Sequence, residues 1–264
     1  MIDLSFPIEE LEYFLLIMTR VTCFIFTAPF FSIGSVPGRV KIGFGFFTSI
    51  MIYYMTMPHV YPITTTVWEY GTLVMKEATA GLLIGLAAGL CTSIVLFAGR
   101  IIDMEMGLAM ASQFDPMTKM DATNTGLYYQ YMIYLLMIVT GMYQYFLSAI
   151  SETFILIPVG AVTVQYEHIL DSFVKFLADY MMIGMRICMP VFCAIMLLNA
   201  VLAILAKVAP QMNMFAVGIQ LKVITGLGIL FLTVYLLPTA SDLIFTEMKR
   251  MVVRVVEGLM NVGL

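Results

Sequence analysis

Charge is what this sequence has least of. Asp, Glu, Lys and Arg make up 11% of its 264 residues, against roughly 25% in a soluble domain. So few charges could not keep a soluble surface of this size dispersed. Positive charge in blocks is missing as well. The net charge is −4 and the isoelectric point about 5.1, which leaves no electrostatic footprint for nucleic acid. Cysteine is sparse: Cys23, Cys91, Cys188 and Cys193 sit in apolar stretches, and none forms a CxxC pair. They read as small buried hydrophobes. The two histidines, His59 and His168, lie far apart and make no metal-binding spacing. There is no P-loop, no GxSxG and no Ser or His set beside an acid in a nucleophile pattern. The expectation is no intrinsic catalysis and no cofactor. The opening residues carry Asp3, Glu9, Glu10 and Glu12 before the first basic residue, Arg20, which is the reverse of a secretory signal.

What is abundant is apolar material, at 61% of the chain. A bilayer is the solvent that accommodates it. A membrane helix needs about 20 predominantly apolar residues, and six stretches qualify or nearly so: Leu11–Phe31, Ile42–Met57, Gly71–Ala98, Leu127–Ile157, Val174–Ala206 and Met212–Leu237. Their apolar residues run continuously rather than alternating, which favours helices over a barrel. Pro37-Gly38, Pro58, Pro62, Pro158, Pro210 and Pro238 punctuate the joints. Pro238 is expected to end the sixth stretch.

Lysine and arginine alternate between connectors as the positive-inside rule requires. Arg39 and Lys41 are in the first, Arg100 and Lys119 in the third, and Lys207 in the fifth. Six spans would then leave both ends outside, yet the tail carries Lys249, Arg250 and Arg254. A simple six-span serpentine conflicts with its own charges. Charges also fall inside the stretches: Lys76 and Glu77 in the third, Lys175, Asp179 and Arg186 in the fifth, Lys222 in the sixth. Facing lipid, each would cost about 3 kcal/mol or more. Lys175, Asp179 and Arg186 fall near one helical face, where they either pair with one another or with partner helices, or form a snorkelling stripe. The pattern suits a subunit packed into a larger assembly.

Two further signals concern packing. Gly81, Gly85 and Gly89 form GxxxGxxxG, which either lets two helix backbones approach closely or is ordinary glycine in a membrane helix. The chain has 24 methionines. Met104, Met106, Met110, Met117 and Met120 gather with Phe114 in the third connector, Gly99–Gly126, where Asp115-Pro116 favours a turn. Methionine is unbranched and adaptable, so this segment reads as a pliable gasket lining an interior, or as a re-entrant loop packed on neighbours.

Three segments resemble the FliR family of flagellar biosynthetic proteins: SVPGRVKIG in the first connector, EMGLAMASQFDP in the third, and AKVAPQMNMFAVGIQLKVITGLGIL from Ala206 to Leu230. The likeness covers nearly the whole chain. The injectisome relatives share the architecture, and the flagellar members look more similar. The resemblance implies an all-α polytopic membrane protein of about six helical segments, packed into a helical export gate of type III secretion rather than a serpentine. It implies FliP-like and FliQ-like subunits as partners, FlhA- and FlhB-like proteins beside them, and unfolded flagellar proteins passing through, in the bacterial inner membrane at the flagellar basal body. Residues 1–170 would be FliP-like, with a plug loop over 106–123. Residues 171–264 would be a FliQ-like helical hairpin. The plug residues carried over are Met106, Met110, Gln113, Phe114, Asp115, Pro116, Met117 and Met120.

Other functions compete on the residues alone. A secondary transporter could recruit Glu77, Asp179 and Arg186, but no clear inverted repeat is visible and the methionine cluster has no part in it. A scaffold for assembling other subunits would leave permeability independent of the plug.

Overall fold

The computed structural model describes residues 8–31, 36–59, 61–62, 66–108, 123–211 and 213–260. Among them every regular element is helical. In chain order these are α1 (Ile8–Thr27), α2 (Gly38–Met55), α3 (Val67–Met106), α4 (Asn124–Val139), α5 (Met142–Leu156), α6 (Tyr166–Val208), α7 (Met214–Thr233), a 3-10 turn (Val234–Leu236) and α8 (Leu237–Leu259).

The chain is an all-α membrane protein. Three helical runs are long and apolar enough to cross a bilayer: Val67–Met106, Tyr166–Val208 and Ala216–Leu259. The pair α4 and α5 adds a fourth if counted as one broken span. At 1.5 Å per residue, the 40 residues of α3 and the 43 of α6 reach about 60 and 65 Å, roughly twice the hydrocarbon thickness. Helices of such length do not make the six equal spans of a serpentine, and the conflict in the connector charges loses its premise.

Three boundaries read from sequence move. The third stretch does not stop at Ala98: α3 runs on to Met106 and ends at Gly107, whose φ of 81° closes the helix with a bond from its N–H to the Met104 carbonyl, 3.2 Å. A left-handed glycine is the usual way for a helix to stop. The fourth stretch is two helices, broken at Gly141 with φ 72°. The Gln144 N–H bonds the Gly141 carbonyl at 2.9 Å to start the next one. Pro238 does not terminate the sixth stretch. It lies in the first turn of α8, where a missing N–H costs nothing and the fixed φ suits a helix start.

The chain divides into two compact units. The first comprises Met1–Cys91, Gly141–Phe176 and Glu247–Leu264. Its core is organised by α1, whose inward residues Tyr13, Leu16, Ile17, Arg20, Val21 and Phe24 recur at the spacing of one helical face. α2 packs on α1 through Gly45, which lies against Thr22, and through Phe14, whose ring meets Phe46 and Tyr53 edge-on at 5.8 and 6.0 Å. Glu247 on α8 is nearly fully buried and takes Arg250 at 2.8 Å and Arg254 at 3.7 Å. The second unit comprises Thr92–Thr140 and Leu177–Thr246. Its α6 segment turns Gly184, Cys188, Val191 and Ile195 inward, with Gly184 against the Phe97 ring of α3.

Candidate functional site: connector stems and a buried ion pair

In the first unit, one ion pair sits where no water reaches. Arg20 Nε donates to Glu77 Oε2 at 2.5 Å, and both side chains are 0% exposed. Arg20 Nη1 donates to the carbonyls of Thr153 and Ile157 at 3.3 and 3.1 Å, the last turn and cap of α5. The Thr153 carbonyl also takes the Ile157 N–H at 2.8 Å, closing the helix, and both carbonyls belong to the negative end of its dipole. The guanidinium also lies 4.2 Å from the centre of the Phe154 ring. Glu77 turns its other oxygen to the Gly160 N–H, 2.8 Å away. Two side chains thus tie α1, α3, α5 and the following connector together. Arg20 Nη2 has no hydrogen-bond partner among the described residues.

The glycine stripe of α3 runs beside the same contact. A Cβ on Gly81 would overlap the Arg20 carbonyl, and one on Gly85 would overlap the Thr27 hydroxyl and lie 2.8 Å from the Phe24 carbonyl. On Gly89 it would stand 3.0 Å from the Thr27 carbonyl. All three glycines face the backbone of α1. That closeness brings Arg20 within reach of Glu77.

In the second unit, the two stems of the third connector are held together. Asp103 lies one turn before the end of α3 and is 2% exposed. Its carboxylate accepts from the Thr125 N–H at 3.0 Å and from the Thr125 hydroxyl. Thr125 occupies the first turn of α4, where N–H groups lack partners within the helix and the dipole favours an anion. Beside this clasp, Gly99 meets Gly126 so closely that a Cβ on Gly99 would overlap the Gly126 backbone. Met106, in the last turn of α3, is fully buried. Its side chain fills a notch at Gly226 on α7: a Cβ there would lie 2.6 to 2.7 Å from the Met106 Cγ, Sδ and Cε.

Of the residues singled out from sequence, Met110, Gln113, Phe114, Asp115, Pro116, Met117 and Met120 lie outside the described residues. The neighbours Lys76 and Glu77 part company. Glu77 is buried, whereas Lys76 is exposed at the edge of a groove of about 870 Å³ lined by Leu83, Val162 and Phe173. Lys175 pairs with Asp171 one turn away at 2.6 Å, both more than half exposed. Asp179 and Lys222 are half-buried, and Arg186 is exposed. Sequence reasoning missed Arg20, Asp103 and Thr125 as site residues. Arg20 and Glu77 are 57 positions apart, and no local pattern links them. Asp103 could have been flagged as an acid inside the apolar run that continues past Gly99.

A chain whose described elements are all helical, with apolar helices of 40 residues and more and an ion pair sealed between two of its helices, is a membrane-embedded helical protein by class. Residues 11–248 match the model of the family described as bacterial export proteins, family 1, and the chain belongs to that family. It is 31% identical over 221 residues to flagellar biosynthetic protein FliR of Bacillus subtilis, covering 82% of this chain and 83% of that one. To the protein of the same name from Aquifex aeolicus it is 29% identical over 231 residues, 87% and 88% of the two chains. For Escherichia coli the figures are 24% over 244 residues and 92% of each.

Proposed function

We propose that this protein is a channel-forming subunit of a flagellar type III export gate in the bacterial inner membrane, where it helps pass unfolded flagellar subunits outward during assembly of the basal body. Membership of the export family and likeness to FliR proteins along more than four-fifths of their length support the flagellar reading. The observation that carries the subunit reading is how much apolar helix the chain leaves uncovered. Only 22% of the apolar window of α6 and 17% of that in Ala216–Leu259 is buried within the chain. α6 and Ala216–Leu259 run well beyond the hydrocarbon thickness, and exposed apolar residues such as Leu170, Val174, Val201 and Ile204 are spread along most of α6. Neighbouring subunits, with lipid, are the cover this reading supplies.

In this reading FliP-like and FliQ-like subunits supply the cover, and FlhA- and FlhB-like proteins dock nearby. Residues 1–170 correspond to the FliP-like part and residues 171–264 to the FliQ-like hairpin, in which α6 and α7 are joined through Pro210. The connector over 106–123 is the plug that seals the pore at rest. The Asp103–Thr125 clasp and the Met106 notch fix both of its ends.

The test is a pull-down of the tagged chain from native membranes in mild detergent, read by mass spectrometry, alongside conductance of cells whose residues 110–120 are replaced by a Gly/Ser linker. Recovery of FliP- and FliQ-like proteins together with raised ion leakage supports the proposal. A lone chain with unchanged conductance overturns it.

A further inference from the structure

α6 presents two faces across its middle, residues 182–196. The inward one carries Gly184, Cys188, Val191 and Ile195. The outward one carries Met182, Arg186, Met189, Cys193 and Met196, all exposed. Both follow the alternating four-and-three spacing with which one helix seats against another. The inward seam is filled by this chain. The outward seam is unfilled, and Arg186 stands in it.

Arg186 makes no hydrogen bond or ion pair with any described residue. Its guanidinium stays charged in any protein environment, and a cation in an apolar span calls for a counter-charge. The surroundings are prepared for one. Arg186 lines a pocket of about 190 Å³ together with the hydroxyl-bearing Tyr129, Thr233 and Thr239, while Pro190 and Leu237 form apolar wall. Pro190 brings no N–H to the Arg186 carbonyl, so that turn is also freed for an outside donor. The volume lies below the roughly 300 Å³ at which small-molecule sites begin. It suits one side chain. A planar guanidinium matches a carboxylate, which can take two parallel bonds from it, and the Thr239 hydroxyl lines the same pocket; the Thr233 hydroxyl donates to the Leu230 carbonyl.

We propose that the outward seam of α6 seats an apolar helix of another subunit, and that an Asp or Glu on that helix enters the pocket and pairs with Arg186. This rests on the gate reading, in which other subunits cover α6, and adds to it the chemistry of the contact. An anionic lipid is the lesser fit: a headgroup with its chains does not fit the pocket, and a lipid-facing surface has no use for the regular seam.

Two experiments on the full chain in its native membrane decide the matter. Arg186→Glu should lower co-purification of one partner subunit tenfold or more at equal bait recovery, and Arg186→Lys should keep most of it. A photo-crosslinking residue at Met189, with Arg186 intact, should capture a helix of that same subunit within a turn or two of an acid, and changing that acid to Lys should rescue Arg186→Glu. Equal recovery of all partners by wild type and Arg186→Glu overturns the pairing and leaves the gate reading standing. Crosslinking at Met189 to phospholipid only overturns it too. If the wild-type chain recovers no partner at all, both readings fall together.

Discussion

Arg20 and Glu77 meet at 2.5 Å with neither side chain exposed to solvent. Each also satisfies backbone groups of the segment Thr153–Gly160. Buried pairs of this kind need not beat a hydrophobic replacement, because removing two charges from water costs several kcal/mol per ion. Their signature is instead the penalty for losing one partner. Arg20→Met should destabilise the chain by about 3–5 kcal/mol, since it leaves Glu77 charged and alone. The double variant Arg20→Met with Glu77→Leu should recover part of that loss. It should not recover all of it, because the Ile157 carbonyl and the Gly160 N–H lose their partners at about 1–3 kcal/mol for each group left unsatisfied, while the Thr153 carbonyl keeps the Ile157 N–H. Thermal unfolding in detergent of the two single variants and the double variant checks the order. A double variant worse than Arg20→Met would contradict it.

The glycine stripe predicts a position-dependent response to one added methyl group. Gly85→Ala would press on the Thr27 hydroxyl and the Phe24 carbonyl, and Gly81→Ala on the Arg20 carbonyl. A main-chain carbonyl cannot swing aside as a flexible side chain can, so both variants should lower thermal stability, Gly81→Ala the more. Gly71, on the same helix, has nothing within 4 Å of a would-be Cβ. Gly71→Ala should therefore be neutral or stabilise by about 0.5–1 kcal/mol through helix propensity. Melting curves of the three variants in one detergent give the comparison directly.

The clasp between the connector stems predicts coupling. Asp103→Ala removes the acceptor of both Thr125 groups, and Thr125→Val removes one of the two donors. Because the residues touch, their effects should not add: the double variant should cost at least about 0.5 kcal/mol less than the sum. Asp103→Asn keeps an acceptor oxygen but loses the charge that suits a helix N-terminus, so it should fall between wild type and Asp103→Ala. A double-mutant cycle on thermal stability measures the coupling. Strict additivity would show that the stems are held by something else.

Much of this architecture was legible in the sequence, and what was not shares a physical cause. Composition and continuous apolar runs identify helices in a membrane because they are properties of single segments. The mismatch of Lys249, Arg250 and Arg254 with a six-span path was also legible, as a conflict. Its source was not: a run of apolar residues marks the hydrocarbon-compatible part of a helix, whereas α3 continues through Arg100 and Asp103 to Met106. Residues joined across the fold left no trace. Arg20 looked like the first basic residue of an N-terminal helix, and Glu77 looked like half of an adjacent pair with Lys76. Only the close approach at Gly81 and Gly85 makes them partners. Of the seven plug residues from Met110 to Met120, all but Gln113 also stand in the methionine cluster and its Asp115-Pro116 turn, and all seven lie outside the described residues.

The Met106 notch yields a size-exchange test. Gly226 lies where any side chain on α7 would occupy the space of the Met106 thioether, and Met106 in turn anchors the end of α3 from which the connector departs. Gly226→Val puts a branched, stiff side chain into that space. It should cost about 1–3 kcal/mol as overpacking, and it should free the stem by expelling Met106. Met106→Ala alone should cost about 2–5 kcal/mol, as a buried methionine replaced by a cavity. Together the two changes exchange volume across one contact, so Met106→Ala with Gly226→Val should be more stable than either single variant. Thermal unfolding supplies the energies, and protease accessibility of the 106–123 connector supplies the location: cleavage should rise in Gly226→Val and fall back in the double variant. If accessibility rises in neither single variant, Met106 holds α3 against α7 without holding the connector, and the anchoring of that stem must lie with Asp103 and Thr125.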